Sequence, residues 1–112
     1  KYQFDILKYA KPVAFSGSLY CPGKLFVTAN RDETLENRDG WNEGRIRAEG
    51  DHIVLHLNGR KVGDCRDTTF ASGRIGIQVH AGDKMKGMKI AFRKIELRPI
   101  QRGAPREPSI AP

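Results

Sequence analysis

The residues of this 112-residue chain that could move protons are three histidines and a scatter of carboxylates. His80 closes the run Ile75-Gly76-Ile77-Gln78-Val79-His80, in which Gly76, Gln78 and His80 share the polar face of an alternating strand. An imidazole near its unperturbed pKa of about 6.5 exchanges protons at neutral pH, so His80 is the best general base on offer. Its competing use is to cap a strand by hydrogen bonding. Asp5, alternating with Phe4 and Ile6, is a candidate acid or an orienting partner for His80, or else part of a solvated face. Gln3 and Gln78 can hydrogen-bond hydroxyl groups but cannot exchange protons usefully. His52 and His56 share a strand face at i, i+4, about 13 Å apart at strand rise, which is too far for one metal ion to bridge. Both read as exposed. Trp41 could stack on a ring but reads as core, because it opens a central strand. Asp32, Glu33, Glu36 and Asp39 gather in one segment with oxygens that suit calcium. Their spacing fits no EF-hand, Arg31 and Arg38 offset part of the charge, and the segment reads as a solvated loop. No metal site is expected. Nucleophile-elbow glycines, a P-loop and a dinucleotide fingerprint are all absent from the sequence, so no cofactor is expected either. Cys21 and Cys65 show no metal-ligand clustering and are open to two states, a disulfide or two buried thiols.

Strands must position these groups. Tyr2, Phe4 and Ile6 alternate with polar residues, and Leu25, Val27 and Ala29 repeat the pattern after a Cys21-Pro22-Gly23 turn. The stretch from Asn30 to Gly40 is a long exposed loop. Trp41 to Cys65 reads as a three-stranded antiparallel meander. Its first strand turns Ile46 and Ala48 one way and Arg45, Arg47 and Glu49 the other, and its last turn is Asn58-Gly59, the pair favoured in a type I′ hairpin. Ile75, Ile77 and Val79 form a further strand. Met88, Ile90 and Phe92 form another, whose phase moves at Ile95 and Leu97, predicting a bulge near Arg93-Lys94. Helical periodicity is nowhere apparent. The fold class is therefore all-β, an antiparallel sandwich of the jelly-roll kind, with 1–98 as the sandwich and 99–112 as a basic Pro-rich tail.

The length suits one domain, and 38% apolar content with 12 Gly and 6 Pro suits a loop-rich globular one. No apolar run approaches the roughly 18 residues of a membrane span, so no direct membrane insertion is expected. Residues 84 to 112 carry 8 basic and 2 acidic groups, so +6 of the +7 net charge lies there. A basic tail on a near-neutral body suits docking or solubility, and with no recognition helix or RNA-binding signature the chain is not read as a nucleic-acid binder. The chain opens at Lys1 directly in a strand, which points to a processed or excised piece.

The ordered set Trp41-Asn42-Glu43, Leu57-Asn58-Gly59 with Lys61-Val62, Gly73-Arg74-Ile75-Gly76-Ile77-Gln78-Val79-His80 and Ile90-Ala91-Phe92-Arg93-Lys94-Ile95 resembles the 3-keto-disaccharide hydrolase family. Tyr2 to Leu7 resembles that family's earlier Y-E-V-Q-I-L strand. The resemblance implies a concanavalin-A-like or laminin-G-like jelly roll facing carbohydrate in a periplasmic or extracellular setting. It also implies hydrolysis or elimination of a 3-keto-glycoside, whose ketone acidifies the C2 hydrogen. His80 and Asp5 are then the catalytic candidates, and Gln3, Gln78 and Arg74 the substrate-binding ones. Two departures stand out. Gln3 occupies the place of the family's acidic residue, with Asp5 in that of a glutamine, and the family's opening strands are missing. Both point to reduced activity, or to the alternative of a non-catalytic structural or accessory subunit. Partners on this reading are carbohydrate or protein, with assembly through edge strands and the basic tail.

Overall fold

The longest strand of the first sheet shows no alternation of burial, because small side chains sit low on its outer side and apolar ones meet the core on its inner side. Val13–Cys21 buries Ala14, Ser16, Gly17, Ser18, Leu19 and Cys21 in near succession. It is β3 of a computed structural model that describes residues 1–78, 87 and 89–100. Along one of its edges run β1 (Gln3–Asp5) and β2 (Lys8–Ala10), and along the other runs β4 (Leu25–Asn30), all antiparallel to it. β1 and β2 keep one register, Gln3 opposite Tyr20 and Ala10 opposite Val13, so they are a single hairpin arm interrupted at Ile6-Leu7. The cause lies across the ladder. Gly17 adopts φ +96°, a conformation L-residues rarely hold, and a Cβ there would meet Val62 Cγ2 at 2.9 Å. Leu7 N, denied a ladder partner, donates to Ser16 Oγ at 3.1 Å instead. The β3–β4 register also shifts between Phe15 and Leu19. Asn30 restores the lost bonds: its N–H donates to Ser18 Oγ at 2.9 Å and its amide to the Ser16 carbonyl at 2.8 Å.

After a short 3-10 turn, Glu33–Leu35, the chain forms the second sheet. Its strands are β5 (Gly44–Glu49), β6 (His52–Leu57) and β7 (Arg60–Arg66), in the order β5-β6-β7. The three-stranded meander forms as expected, except that its first strand begins at Gly44 rather than at Trp41. Asn58 at φ 52° and Gly59 at φ 80° make the expected type I′ turn. Beyond the turn the ladder slips, because His56 faces Lys61 whereas Leu55 faces Gly63. That is a bulge of one residue.

β3 and β4 pack against β6 and β7, closing an antiparallel sandwich around Leu19, Ile53 and Leu55, with Phe4, Val27 and Val62 against them. β5 lies at the edge of this contact. Ile46, on the apolar side of its strand, is 54% exposed, and Trp41, read as core, is 50% exposed. Phe4 of β1 reaches the start of β5 at Gly44, but Ile46 and Trp41 remain open.

This sandwich belongs to a unit built on Lys1–Gly73, and Arg74–Ala104 forms a second unit. In the second unit the strands expected at Ile75–Val79 and Met88–Leu97 do not form over the described residues 74–78 and 89–97. Ile75 is 75% exposed and Leu97 74%. A strand exists only through a partner's ladder, so alternation alone does not create one. Glu96 pairs instead with Arg98 at 3.3 Å. Val79, Met88 and the tail from 101 onward lie outside the described residues.

Candidate functional site

Phe4 opposes Leu19 in the core, so their neighbours Gln3, Tyr20, Asp5 and Ser18 project to the other side of the first sheet. Gln3 and Asp5 therefore share one outward face. Tyr20 joins them as the cross-strand partner of Gln3. Phe26 contacts Tyr20 edge-on, with ring centroids 6.4 Å apart, and Tyr9 on its other side at 5.7 Å. The result is a carboxyl and an amide beside a row of aromatic rings. Such rings offer a weakly negative face to the C–H bonds of a sugar, while the polar pair can meet its hydroxyls. Asp5 is half-buried, and that burial pushes its carboxyl pKa up, the direction a proton donor needs near neutrality.

A second cluster lies on the outward face of the second sheet. His52 Nε2 is 2.7 Å from Asp64 Oδ1, and Lys61 Nζ is 3.0 Å from Asp64 Oδ2. Asp64 is held below the usual carboxylate range by these two hydrogen bonds, His52 first. The bulge creates this cluster. An unbroken two-residue hairpin would set Asp64 opposite Ile53, on the core face; the extra residue sets it opposite Val54, on the histidine face. His52, read as merely exposed, is instead an oriented, carboxylate-paired imidazole. The one signal in the sequence was the shared face of His52 and His56, and it could not reveal Asp64 without the bulge.

A third cluster ties the chain end to the sandwich. Asp67 accepts from the Tyr2 hydroxyl, from Lys24 Nζ at 2.6 Å and from Thr69 N at 2.8 Å. Its carboxyl is held far below the ordinary aspartate value, with Lys24 the largest cause. Tyr2 also meets Phe70 edge-on at 5.5 Å. This is a structural clamp. Cys65 nearby is pushed up mainly by burial, and of the two states open to Cys21 and Cys65 the structure holds free thiols.

Three of the four carboxylates of the acidic loop are committed within the chain. Asp32 accepts from Thr34 N at 2.9 Å, Glu33 pairs with Lys8 at 3.0 Å and Arg38 at 3.2 Å, and Glu36 accepts from the Ser16 hydroxyl. Among the described residues no three metal-ligating side chains converge. Nor, among them, is any helix long and apolar enough to cross a membrane. Of the candidates from the sequence, Gln3 and Asp5 are brought together on β1. Arg74 and Gln78 are exposed in the second unit, and His80 lies outside the described residues.

A family profile described as a 3-keto-alpha-glucoside-1,2-lyase-like domain matches residues 1–98. The chain belongs to this family. No curated protein and no solved structure matches it. As a member of the lyase-like family the chain is a carbohydrate-related, all-β domain. The antiparallel sheets described above are compatible with the jelly roll expected of it.

Proposed function

We propose that the outward face of β1, β3 and β4 receives a 3-keto-glycoside and that the chain promotes slow elimination across its C1–C2 bond. The observation that carries this reading is Asp5: a half-buried carboxyl with a raised pKa, in a family-matched segment, beside Gln3 and Tyr20. The 3-keto group acidifies the C2 hydrogen, and a base removes it. The electron pair forms the C1–C2 double bond, the C1–O bond breaks, and the departing oxygen takes a proton from the acid. Asp5 is assigned the acid and Gln3 the holding of a hydroxyl, while the roles of His80 as base and of Gln78 and Arg74 toward hydroxyls rest on the family resemblance alone.

Asp5→Asn tests this assignment. Turnover of a 3-keto-glucoside by the full chain should fall roughly 10²-fold or more, with little change in KM. The wild-type rate should fall as pH rises through the Asp5 pKa, since only the protonated carboxyl donates, and Asp5→Asn should lose that limb. One observation favours the second reading, a non-catalytic saccharide-binding or accessory module. Gln3 stands where the family pattern has an acid. Saccharide bound on the Asp5 face with no product at any pH would select that module and reject the elimination.

A further inference from the structure

An open cleft of about 470 Å³ lies between the end of β4, the 3-10 turn and the start of β7, and its lining includes neither Asp5 nor Gln3. Three cations line it: Arg31, Arg60 and Lys61. Lys61 is already engaged by Asp64 at 3.0 Å. Arg31 and Arg60 are exposed, and neither forms an ion pair within the described residues. Asp32 is the only carboxylate in the lining; its Oδ1 accepts from both the Thr34 N–H and hydroxyl, and its charge offsets one of the three cations. Arg60 acts on Asp32 only through its field. Leu35 and Val62 add apolar wall to this rim.

Two guanidiniums without a salt bridge at one cleft make a fork-shaped array of donors suited to a planar or tetrahedral oxyanion. An apolar wall beside them suits the C–H face of a ring. We propose that this cleft binds an acidic saccharide, with Arg31 and Arg60 holding its carboxylate or sulfate and Leu35 and Val62 covering its ring. The saccharide half rests on the carbohydrate reading of the chain; the oxyanion half rests on the two arginines.

The test is titration of the full chain, followed by calorimetry and by the Arg side-chain N–H resonances, with glucuronate, glucose 6-sulfate, inorganic sulfate and glucose. The expected result is that at least one charged sugar binds and shifts the Arg31 and Arg60 signals. Which one binds identifies the anion as carboxylate or sulfate ester. Glucose should leave those signals in place. Arg31→Gln and Arg60→Gln should each weaken the charged sugar roughly tenfold, and added salt should weaken it further. Arg31→Lys should recover only part of the loss, because it keeps the charge and loses the fork. Circular dichroism checks that each variant is folded. The proposal is overturned if neither charged sugar shifts the arginines, if the Gln variants bind as wild type, or if inorganic sulfate binds as tightly as the sugars. Asp5→Asn should leave this binding unchanged, so failure of the elimination reading and failure of this one are separable.

Discussion

Thr28 Oγ1 is a buried hydroxyl with no hydrogen-bond partner among the described residues, in a strand packed on β7. A polar group taken out of water without compensation costs about 1–3 kcal/mol. Thr28→Val keeps the shape and removes the hydroxyl, so it should raise the urea midpoint, by an amount equivalent to about 1 kcal/mol. An unchanged or lowered midpoint would show that the hydroxyl has a partner. Asp5 shows the opposite use of burial. There desolvation is what lifts the carboxyl pKa, and the functional test above reads that shift directly. Asp5 was legible in the sequence as a polar residue alternating with apolar ones, because β1 has one covered face. Trp41 was misjudged as core for a related reason. An aromatic residue next to a strand is buried only if the opposite sheet reaches it, and sequence does not show how far a sheet extends.

Elements differ in how locally they are specified. The Asn58-Gly59 hairpin is encoded by two residues, both at positive φ. Gly59→Val places a β-branched side chain in that conformation and should cost about 1 to 3 kcal/mol by chemical denaturation. A wild-type midpoint would mean that the turn can adopt another type. β3 is the counter-example. Ser16, Gly17 and Ser18 interrupt any apolar alternation, yet the segment is the centre of its sheet. Its small polar residues are satisfied by Asn30, Glu36 and Leu7, three partners scattered along the chain. The bulge in β7 is equally non-local, and it alone brings Asp64 to His52.

At the scale of the molecule, the Asp67 clamp joins the N-terminal segment, the β3–β4 turn and the segment after β7 through Tyr2, Lys24 and Thr69. Its folded carboxyl pKa is depressed, so the unfolded chain binds the proton more readily. The stabilisation is fully present above the ordinary aspartate value of about 3.9 and is lost as pH falls below it toward the folded value. Urea midpoints should therefore fall between about pH 5 and pH 2 in the wild type. Asp67→Asn should lower the midpoint at neutral pH and flatten that dependence. Parallel pH curves for the two proteins would remove the clamp from the account of stability.

The sequence by itself determined the all-β class, the meander and its type I′ turn, because period-two patterning and turn chemistry are written in adjacent residues; the family was legible separately, as a resemblance in an ordered set of motifs. Only tertiary structure decided that β3 is central, that Asp64 reaches His52, that Asp67 gathers Tyr2 and Lys24 from distant segments, and that Arg31 and Arg60 line one cleft. Each of these depends on register or on packing between segments far apart in the chain. A single bulge or an edge strand left uncovered changes which side chains meet without changing the local pattern that a sequence displays.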